Sequence, residues 1–380
     1  MIITATMVVL SIIFFYLVLA LPTSWLIKFV LIAAAMYLVN LALAKKYKLS
    51  TEMGFLLLKS QAGLKFIDQI AKHKDFWNFF ADVGTTMGYG VLGILIMRKN
   101  VNWKTFTVGI VLITLISFII APFSLAFLSQ ALGGAAFEKK ATISFGDQQT
   151  TSLVVAGIMY LGGFFLMLVV GLLYYGFHIA YLFIQFIFFG SQQIITTQPG
   201  GTMLLPGVNL KFFEGILALA AILVVHEGSH AILSRIAGVP LKSTGIVLFG
   251  IIPIGAFVEP DEHVLNATKQ KEQTRILVGG STANFIFSIL FFLAFVPVAL
   301  LLKSLAPGFL HDGVLFVYYL FGYAFSINFV VATVNLLPLP LFDGYRILEL
   351  NVKQKLIVNI LMYLTLAAFI FNFLPWFFVR

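Results

Sequence analysis

Long apolar stretches alternate with short polar ones along the whole chain. Each reaches roughly the 20 residues that a helix needs to cross a hydrocarbon core about 30 Å thick. These stretches lie at 2–22, 25–44, 78–97, 105–128, 153–190, 212–235, 276–302, 313–337 and 356–378. The pattern predicts an all-α polytopic membrane protein, a bundle of about nine or ten transmembrane helices.

The stretch 153–190 leaves the number of spans open. It is too long for one straight transmembrane helix and short for two. One long tilted helix would put the segment 45–77 on the same side as the metal-binding motif described below, and two helices would put it on the opposite side. The segment 45–77 is rich in lysine, and cytosolic segments carry the excess of basic residues, so we favour one helix.

Two segments depart from the pattern of spans. Residues 45–77 combine seven lysines with an amphipathic sequence, which predicts a helix lying at the membrane interface. Residues Leu241–Pro260 are rich in β-branched side chains and are interrupted by glycine and proline, which predicts a small membrane-associated β-hairpin. Because open strand edges are not tolerated against lipid, this hairpin must be shielded by protein or line a watery cavity.

Composition agrees with a membrane protein and excludes several kinds of chemistry. Hydrophobic residues make up 61% of the chain, charged residues 10%, and the mean hydropathy is +1.03. The absence of cysteine excludes disulfides, thiolate metal ligands and a cysteine nucleophile. The net charge of +9 does not indicate a nucleic-acid partner, because the basic residues cluster in short segments between apolar runs. The expected partner is the lipid bilayer.

The distribution of basic residues also predicts the orientation of the second half. The segments 237–275 and 338–355 hold most of its lysine and arginine, whereas 191–210 and 303–312 hold only Lys303. By the positive-inside rule the first pair is cytosolic and the second pair lies outside the cell membrane.

One apolar stretch carries the sequence His226-Glu227-Gly228-Ser229-His230. On a helix the two histidines lie one turn apart on the same face, where two imidazoles can bind one metal ion with Glu227 placed to act on a metal-bound water. The alternative is a set of polar residues packed against neighbouring helices, a costly use of three ionisable groups. Counted from Phe212, His226 lies ~21 Å along a core of ~30 Å, so the metal would be within the inner third of the membrane.

A catalytic zinc site needs a third protein ligand, and the sequence offers two carboxylates. Asp343 follows a helix that Pro338 and Pro340 must break, so it is either the N-cap of the next helix or the third ligand. We favour the ligand, because two histidines alone leave the site incomplete. The competitor is Glu259, which lies beside acidic residues in what we interpret as a solvated loop.

Three further polar residues lie within apolar stretches. Asn284 follows a run of small residues that lets two helices approach closely, and it is predicted to bond a neighbour. Asp82 and His178 in the first half are interpreted as packed or interfacial groups.

Three motifs, taken in order, resemble the site-2 protease family of intramembrane zinc metalloproteases. They are His226-Glu-Gly-Ser-His230, Gly280-Ser-Thr-Ala-Asn284 and Asn335-x-x-Pro338-x-x-x-x-Asp343-Gly344. Many members have Gly-Pro where this chain has Gly280-Ser281. The resemblance covers about 211–378. It divides the chain into an N-terminal multi-span region of unknown role, 1–210, and an intramembrane metalloprotease core, 211–380.

The resemblance implies a role for each motif residue. Zinc is the implied cofactor, with His226, His230 and Asp343 as its ligands, and Glu227 is the implied catalytic base. Asn335 is implied to hold the substrate or the developing oxyanion. In the family an extended strand after the first motif engages the substrate. The substrate-contacting residues predicted on the hairpin and in the second motif are Gly250, Ile252, Ile254 and Asn284.

The function expected from these residues is that of an intramembrane zinc endopeptidase. Its substrates would be the transmembrane segments of single-span membrane proteins, as in regulated intramembrane proteolysis. Family members with soluble peptide-binding modules insert them between the second and third core spans, where only 303–312 is available, so no such module is expected here. An alternative is an ion- or proton-coupled transporter using the His/Glu cluster, although the inverted repeats typical of transporters are not visible in the sequence. A non-catalytic scaffold would not need Glu227 beside both histidines.

Overall fold

A computed structural model describes residues 2–23, 25–52, 54–61, 63–132, 147–202, 204–250 and 252–378. Its helices are α1 (Ile2–Ala20), α2 (Trp25–Tyr47), α3 (Leu64–Ile70), α4 (Lys74–Ile96), α5 (Trp103–Leu115), α6 (Ala121–Ala131), α7 (Gln148–Phe189), α8 (Gln193–Thr196), α9 (Phe212–Ile236), α10 (Glu262–Ala267), α11 (Gln270–Ser304), α12 (Phe309–Val334), α13 (Asp343–Asn351) and α14 (Lys355–Phe373). Its strands are β1 (Ser50–Glu52), β2 (Phe55–Ser60), β3 (Leu241–Phe249) and β4 (Ile252–Pro260).

The described residues form a helical bundle with one small sheet, which confirms the predicted fold class. By length and composition, eight helical segments in this part of the chain are able to cross a membrane. One of them, Trp103–Ala131, is α5 joined to α6 through a π-helical turn at Ile116–Ile120. The helix α1 adds the shorter apolar stretch Val9–Val18. The chain is therefore a multi-pass membrane protein.

The helix α4 turns back on itself at Gly90, which has φ 54° and ψ −137°. A positive φ of this kind favours glycine. Beyond the turn, a Cβ built on Gly93 would lie 3.2 Å from the carbonyl oxygen of Thr85, whereas a straight helix would separate these residues by about 12 Å. After the helix, the Asn100 amide lies 3.5 Å from Asp82 Oδ1. Both ends of α4 therefore lie at the same end of the bundle, and the predicted span 78–97 is corrected to a re-entrant hairpin.

The helix α7 contains a similar break at Gly163, with φ 60° and ψ −159°. Its first half runs antiparallel to the segment made of α5 and α6. The Tyr160 hydroxyl lies 3.0 Å from that of Thr114, and one turn further along, Ser117 donates to the sulfur of Met159. The start of α7 therefore lies at the end of the bundle where α6 finishes.

The second half of α7 runs in the same direction as α14. Gly176 packs against Ala368, and further along α7 the ring of Phe186 lies 5.2 Å from that of Phe378, which follows the end of α14. Because α14 leads toward the end of the bundle where α6 finishes, α7 also returns to the end from which it started. Neither alternative predicted for 153–190, one tilted span or two spans, describes this helix.

The tips of the two hairpins touch inside the bundle. A Cβ on Gly90 would collide with the Tyr160 carbonyl oxygen, and a Cβ on Gly163 would collide with the Gly88 carbonyl group. Glycine is therefore required where the two backbones meet. Non-helical backbone at membrane depth is tolerated only where protein or water covers it, and here each hairpin covers the other.

The lysine-rich segment 45–77 forms strands and a short helix, so the predicted interfacial helix is wrong. The strand β2 pairs antiparallel with β3, with Leu57 opposite Val247, and the sheet order is β1-β2-β3-β4. The predicted hairpin at Leu241–Pro260 is present as β3 and β4. Within β2, Leu56 is buried, whereas Leu58, Lys59 and Ser60 toward the end of the strand are exposed. Pairing with β2 covers the β3 edge that would otherwise be open.

The hairpin α4 is fastened to the start of α11 by a buried ion pair. Two nitrogens of Arg275 contact the two carboxylate oxygens of Asp82, at 2.8 and 2.6 Å, and Glu272 contacts the same guanidinium at 3.0 Å. Two turns beyond Arg275 in α11, the helices approach so closely that a Cβ on Gly84 would collide with Thr282. The N-terminal region thus packs directly on α11, within the segment of the second motif.

We expect Lys72 and Lys99, which precede and follow the α4 hairpin, to be accessible from the same side of the membrane. The chain contains no cysteine, so Lys72→Cys and Lys99→Cys each introduce one thiol for an impermeant label. Both positions should react in the same preparation, either intact cells or inverted vesicles. If one variant reacts only from outside and the other only from inside, α4 crosses the membrane and the hairpin assignment fails.

Candidate metal centre

The two histidines of the first motif converge from consecutive turns of α9. The Nε2 atoms of His226 and His230 lie 3.1 Å apart, and their rings are nearly perpendicular at 76°. His226 is buried and His230 is partly buried. Protons on both Nε2 atoms would repel each other at this distance. The two Nε2 atoms therefore present lone pairs to a shared position.

The opposite nitrogen of each histidine is held by α11. His230 Nδ1 lies 2.7 Å from the carbonyl oxygen of Ile276, which can only accept, so Nδ1 carries the proton and Nε2 is left free as a ligand. His226 Nδ1 lies 3.1 Å from the amide of Asn284. The Asn284 Oδ1 has no partner as placed. Exchanging the amide oxygen and nitrogen lets Oδ1 accept from His226 Nδ1–H and leaves the Nε2 of His226 free as well.

Small residues of α11 let it approach this close to α9. A Cβ on Gly280 would lie 2.5 Å from both His226 Cε1 and His230 Nε2. Any larger residue would push α11 away and break the contacts of Ile276 and Asn284 with the rings. The glycine of the second motif is therefore a packing requirement of the histidine pair.

The third motif forms a closed turn between α12 and α13. The Gly344 amide donates to the Asn335 carbonyl at 2.8 Å, and a Cβ on Gly344 would collide with the Leu336 carbonyl group. The helix α13 begins at Asp343, and its N-cap is Phe342, which makes no side-chain capping bond. Asp343 is therefore not the N-cap, and its carboxylate is available to the histidines.

Asp343 completes a group of three ligand atoms. Its Oδ2 lies 3.4 Å from His226 Nε2 and 3.3 Å from His230 Nε2, and all three ligand atoms lie within 4.8 Å of one another. This Oδ2 is buried and has no hydrogen-bond partner. An unpaired carboxylate oxygen facing two imidazole lone pairs is a costly arrangement that a bound cation would stabilise. The two-histidine, one-carboxylate set fits zinc, with one coordination position left open.

Glu259, the competing carboxylate, is committed elsewhere. It forms an ion pair with Lys59 of β2 at 2.7 Å and accepts a hydrogen bond from Ser243. The hydrogen bond from Lys59, followed by that from Ser243, lowers the pKa of Glu259 below its ordinary value. Its role is to link β2 to the hairpin, and the structure brings Asp343 to the histidines in its place.

Glu227 lies between the histidines and the sheet. Its carboxylate is partly buried and interacts with both histidines, with Asp343 and with the backbone N–H of Val258 in β4. The base expected from the first motif is therefore next to the ligand atoms and to β4, which pairs with β3 and with no other strand among the described residues. In this part of the chain, an unpaired strand edge thus lies beside Glu227.

The remaining predicted site residues lie farther from the ligand atoms or outside the description. The Asn335 side chain donates to the Val331 carbonyl of its own helix at 3.1 Å. Gly250 is in the turn between β3 and β4, with its N–H bonded to Asn40 of α2 at 2.7 Å. Ile252 and Ile254 lie on β4, but their side chains are outside the described part of the structure. Substrate roles for these residues, and for the fully buried Asn284, remain predictions.

One residue near the metal centre was not found by sequence reasoning. Tyr89, at the tip of the α4 hairpin, interacts electrostatically with Asp343. Tyrosine is common in apolar helices, and no motif surrounds Tyr89, so only its place in the fold distinguishes it.

Comparison with known proteins identifies the segment that holds this centre. Residues 214–374 match the model of peptidase family M50. This match covers less than half of the chain and agrees with the resemblance of the three motifs to the site-2 protease family. Among curated proteins, an uncharacterised protein of Methanocaldococcus jannaschii is 36% identical over 92 residues, which are 24% of this chain and 24% of that protein. The match thus spans about a quarter of that relative's length. No solved structure matches the chain significantly.

The segment that matches the M50 model contains all three candidate ligand residues and Glu227. The strand β2, the hairpin α4 and the hairpin α7 precede it in the chain. They nevertheless pack directly against it through β3, Arg275 and the third motif. The residues before the family match and those within it therefore pack together in one bundle.

We expect Asp343→Asn to weaken zinc binding by about 10-fold or more, because a charged ligand is replaced by a weaker neutral one. The matched control is Glu259→Gln, which removes a charge from the sheet and should leave zinc binding unchanged. Zinc content and affinity are to be measured on both purified variants. The opposite result, in which Glu259→Gln loses the metal, would show that β4 supplies the ligand.

Proposed function

We propose that this protein is an intramembrane zinc-dependent endopeptidase. The observation that carries the proposal is the convergence of His226, His230 and Asp343 on one position, with Glu227 alongside. The two histidines and Glu227 are on α9, a helix long enough to cross a membrane. The match of residues 214–374 to peptidase family M50 supports the same chemistry.

Each of these residues would have a defined part in peptide hydrolysis. His226, His230 and Asp343 would hold the zinc ion. When bound, the ion would polarise the scissile carbonyl as a Lewis acid and lower the pKa of a water molecule toward 7. Glu227 would take the proton of the attacking water and pass it to the leaving amine. The contacts of Ile276 and Asn284 would keep both imidazoles in the tautomer that leaves Nε2 free.

The proposed substrate is an extended segment of a single-span membrane protein. A transmembrane helix protects its carbonyl groups with its own hydrogen bonds, so it must unwind before it is cleaved. The strand β4 lies next to Glu227 and pairs with β3 on one side only. Addition of the substrate as a further strand along β4 would hold its backbone extended beside the base, as expected in regulated intramembrane proteolysis.

The proposed location is the cell membrane, with the metal centre nearer to the cytosolic side. The sheet pairing places the lysine-rich segment 45–77 at the same end of the bundle as Lys242. Asn100 bonds the Lys271 carbonyl at 3.0 Å, so Arg98 and Lys99 also lie at that end. This concentration of basic residues supports a cytosolic position by the positive-inside rule.

One observation favours the alternative of an ion-coupled transporter. The hairpins α4 and α7 are broken helices that enter from opposite ends of the bundle and touch at their tips, an arrangement also used by transporters. Their tips, however, consist of glycine and aromatic residues near Gly90 and Gly163, without an acidic or basic side chain to bind an ion. Zinc or proton uptake by proteoliposomes that is lost in a Glu227→Gln variant, with no cleavage of single-span proteins by the wild type, would support this alternative.

Glu227→Gln should leave the protein folded and zinc-bound but lower peptide hydrolysis by about 100-fold to 10,000-fold, because a general base is lost and no ligand is removed. A panel of tagged single-span proteins reconstituted with the purified enzyme provides the assay. Chelation should stop cleavage by the wild type, and added zinc should restore it. Loss of zinc in the Glu227→Gln variant would instead make Glu227 a ligand.

A cysteine replacing Lys269 should be protected from an impermeant label in intact cells, whereas one replacing Ser191 should react. The positions precede α11 and follow α7, at opposite ends of the bundle. Both should react after the membrane is permeabilised. Reaction of Lys269→Cys from outside intact cells would reverse the proposed orientation.

A further inference from the structure

The metal centre has a neighbour contributed by the region that precedes the M50 segment. Tyr89 is fully buried at the tip of the α4 hairpin, directly before the turn at Gly90. Its hydroxyl has no hydrogen-bond partner in the structure. A buried hydroxyl without a partner costs about 1–3 kcal/mol in proteins, so an acceptor for it is expected nearby.

The hairpin tip is packed against the turn that carries Asp343. A Cβ on Gly88 would lie 3.3 Å from the side chain of Leu336, the residue that follows Asn335 in the third motif. The same turn is closed by the bond from Gly344 to Asn335. The backbone before Tyr89 is thus in contact with the closed turn at whose end Asp343 lies.

The Asp343 carboxylate is chemically complementary to the Tyr89 hydroxyl. The Tyr89 hydroxyl and the Asp343 carboxylate interact electrostatically. Both Tyr89 Oη and Asp343 Oδ2 are buried atoms without a hydrogen-bond partner. One is a donor and the other belongs to a carboxylate, which has about four lone-pair positions on its two oxygens. A carboxylate that binds a metal ion through one of these positions still accepts hydrogen bonds at the others.

We propose that Tyr89 is a positioning residue of the metal centre, and that in the zinc-loaded protein its hydroxyl donates a hydrogen bond to the Asp343 carboxylate. This inference rests on the proposed function, because it assumes that Asp343 binds zinc. Carboxylate ligands are generally oriented by hydrogen bonds of this kind, and their loss weakens metal binding by about 10-fold to 100-fold. The N-terminal region would therefore contribute to zinc affinity through α4.

The α4 hairpin accounts for how a residue so far from the motifs reaches the metal centre. Gly84 fits against Thr282 of α11, Gly88 fits against Leu336, and the Asp82–Arg275 ion pair holds the base of the hairpin. A straight helix would continue past the metal centre. Because the chain reverses at Gly90, Tyr89 lies at the tip of the hairpin, next to the metal centre. The hairpin and the touching tip of α7 thus hold the Tyr89 ring, which packs on Phe165 at 5.1 Å.

The test compares zinc affinity in two variants that each lose one buried phenol oxygen. Tyr89→Phe should bind zinc about 10-fold more weakly than the wild type in a chelator competition. Tyr323→Phe is the matched control, because Tyr323 is equally buried but its hydroxyl accepts from the Lys211 N–H, away from the ligands. The control should keep the zinc affinity of the wild type.

A second measurement separates positioning from a purely structural role. Removing an unpartnered buried hydroxyl should not lower the thermal stability of the metal-free protein. In an Asp343→Asn background, Tyr89→Phe should have much less effect on zinc affinity, because the carboxylate through which it acts is gone. Equal zinc affinity of Tyr89→Phe and the wild type would overturn the inference, as would an undiminished effect in the Asp343→Asn background.

The proposed function and this inference fail in different ways. A wild-type protein that binds no zinc contradicts the proposed function. A wild type that binds zinc, together with a Tyr89→Phe variant of equal affinity, contradicts only the role of Tyr89.

Discussion

The cost of burying two imidazoles and a carboxylate inside an apolar bundle is the constraint on which the rest of the structure depends. Unpaired polar groups at membrane depth are costly, so His226, His230 and Asp343 need partners on every side. The helix α11 satisfies the outer nitrogens of the rings through Ile276 and Asn284. The closed turn before α13 directs the carboxylate at the inner nitrogens. The helices α9 and α11 and the turn before α13 must therefore meet at one place, and small shifts of any of them would break these contacts.

That convergence explains why the bundle relies on glycine at its contacts. Gly280 lets α11 approach the histidine rings, Gly344 lets the turn close, and Gly84 lets α4 reach α11. Without a hydrophobic force between helices in lipid, close packing and buried polar contacts must hold such a bundle together. The Asp82–Arg275 ion pair is a buried polar contact between the two halves of the chain. The N-terminal region thus supports the metal centre and is not an independent domain in the packing.

The sheet and the hairpin α4 surround the catalytic helix in complementary ways. The sheet brings an unpaired strand edge and the N–H of Val258 to Glu227, where an extended peptide would lie. The hairpin α4 brings its tip to the turn of Asp343 on the side of the ligands. In the proposed enzyme, the substrate would therefore approach from the side of the sheet, while the α4 hairpin packs against the turn that carries Asp343.

The sequence alone determined the features that depend on neighbouring residues. Runs of apolar residues located the helices, the spacing of His226 and His230 placed them one turn apart, and glycine and proline located the hairpin at Leu241–Pro260. The third ligand could be reduced to two carboxylates, because helix breaking by proline is also a local property. These predictions held because periodicity and turn chemistry act within a few residues.

Only the tertiary structure decided the features that join residues far apart in the chain. Length and hydropathy cannot distinguish a spanning helix from one that turns back at Gly90 or Gly163, because both bury the same apolar side chains. The lysines around β2 resemble those of an interfacial helix, and only the pairing of β2 with β3 shows that the segment is a strand. The electrostatic interaction of Tyr89 with Asp343 joins residues far apart in the chain and leaves no local pattern. Which distant surfaces meet is set by packing of the whole bundle, and no short stretch of sequence contains that information.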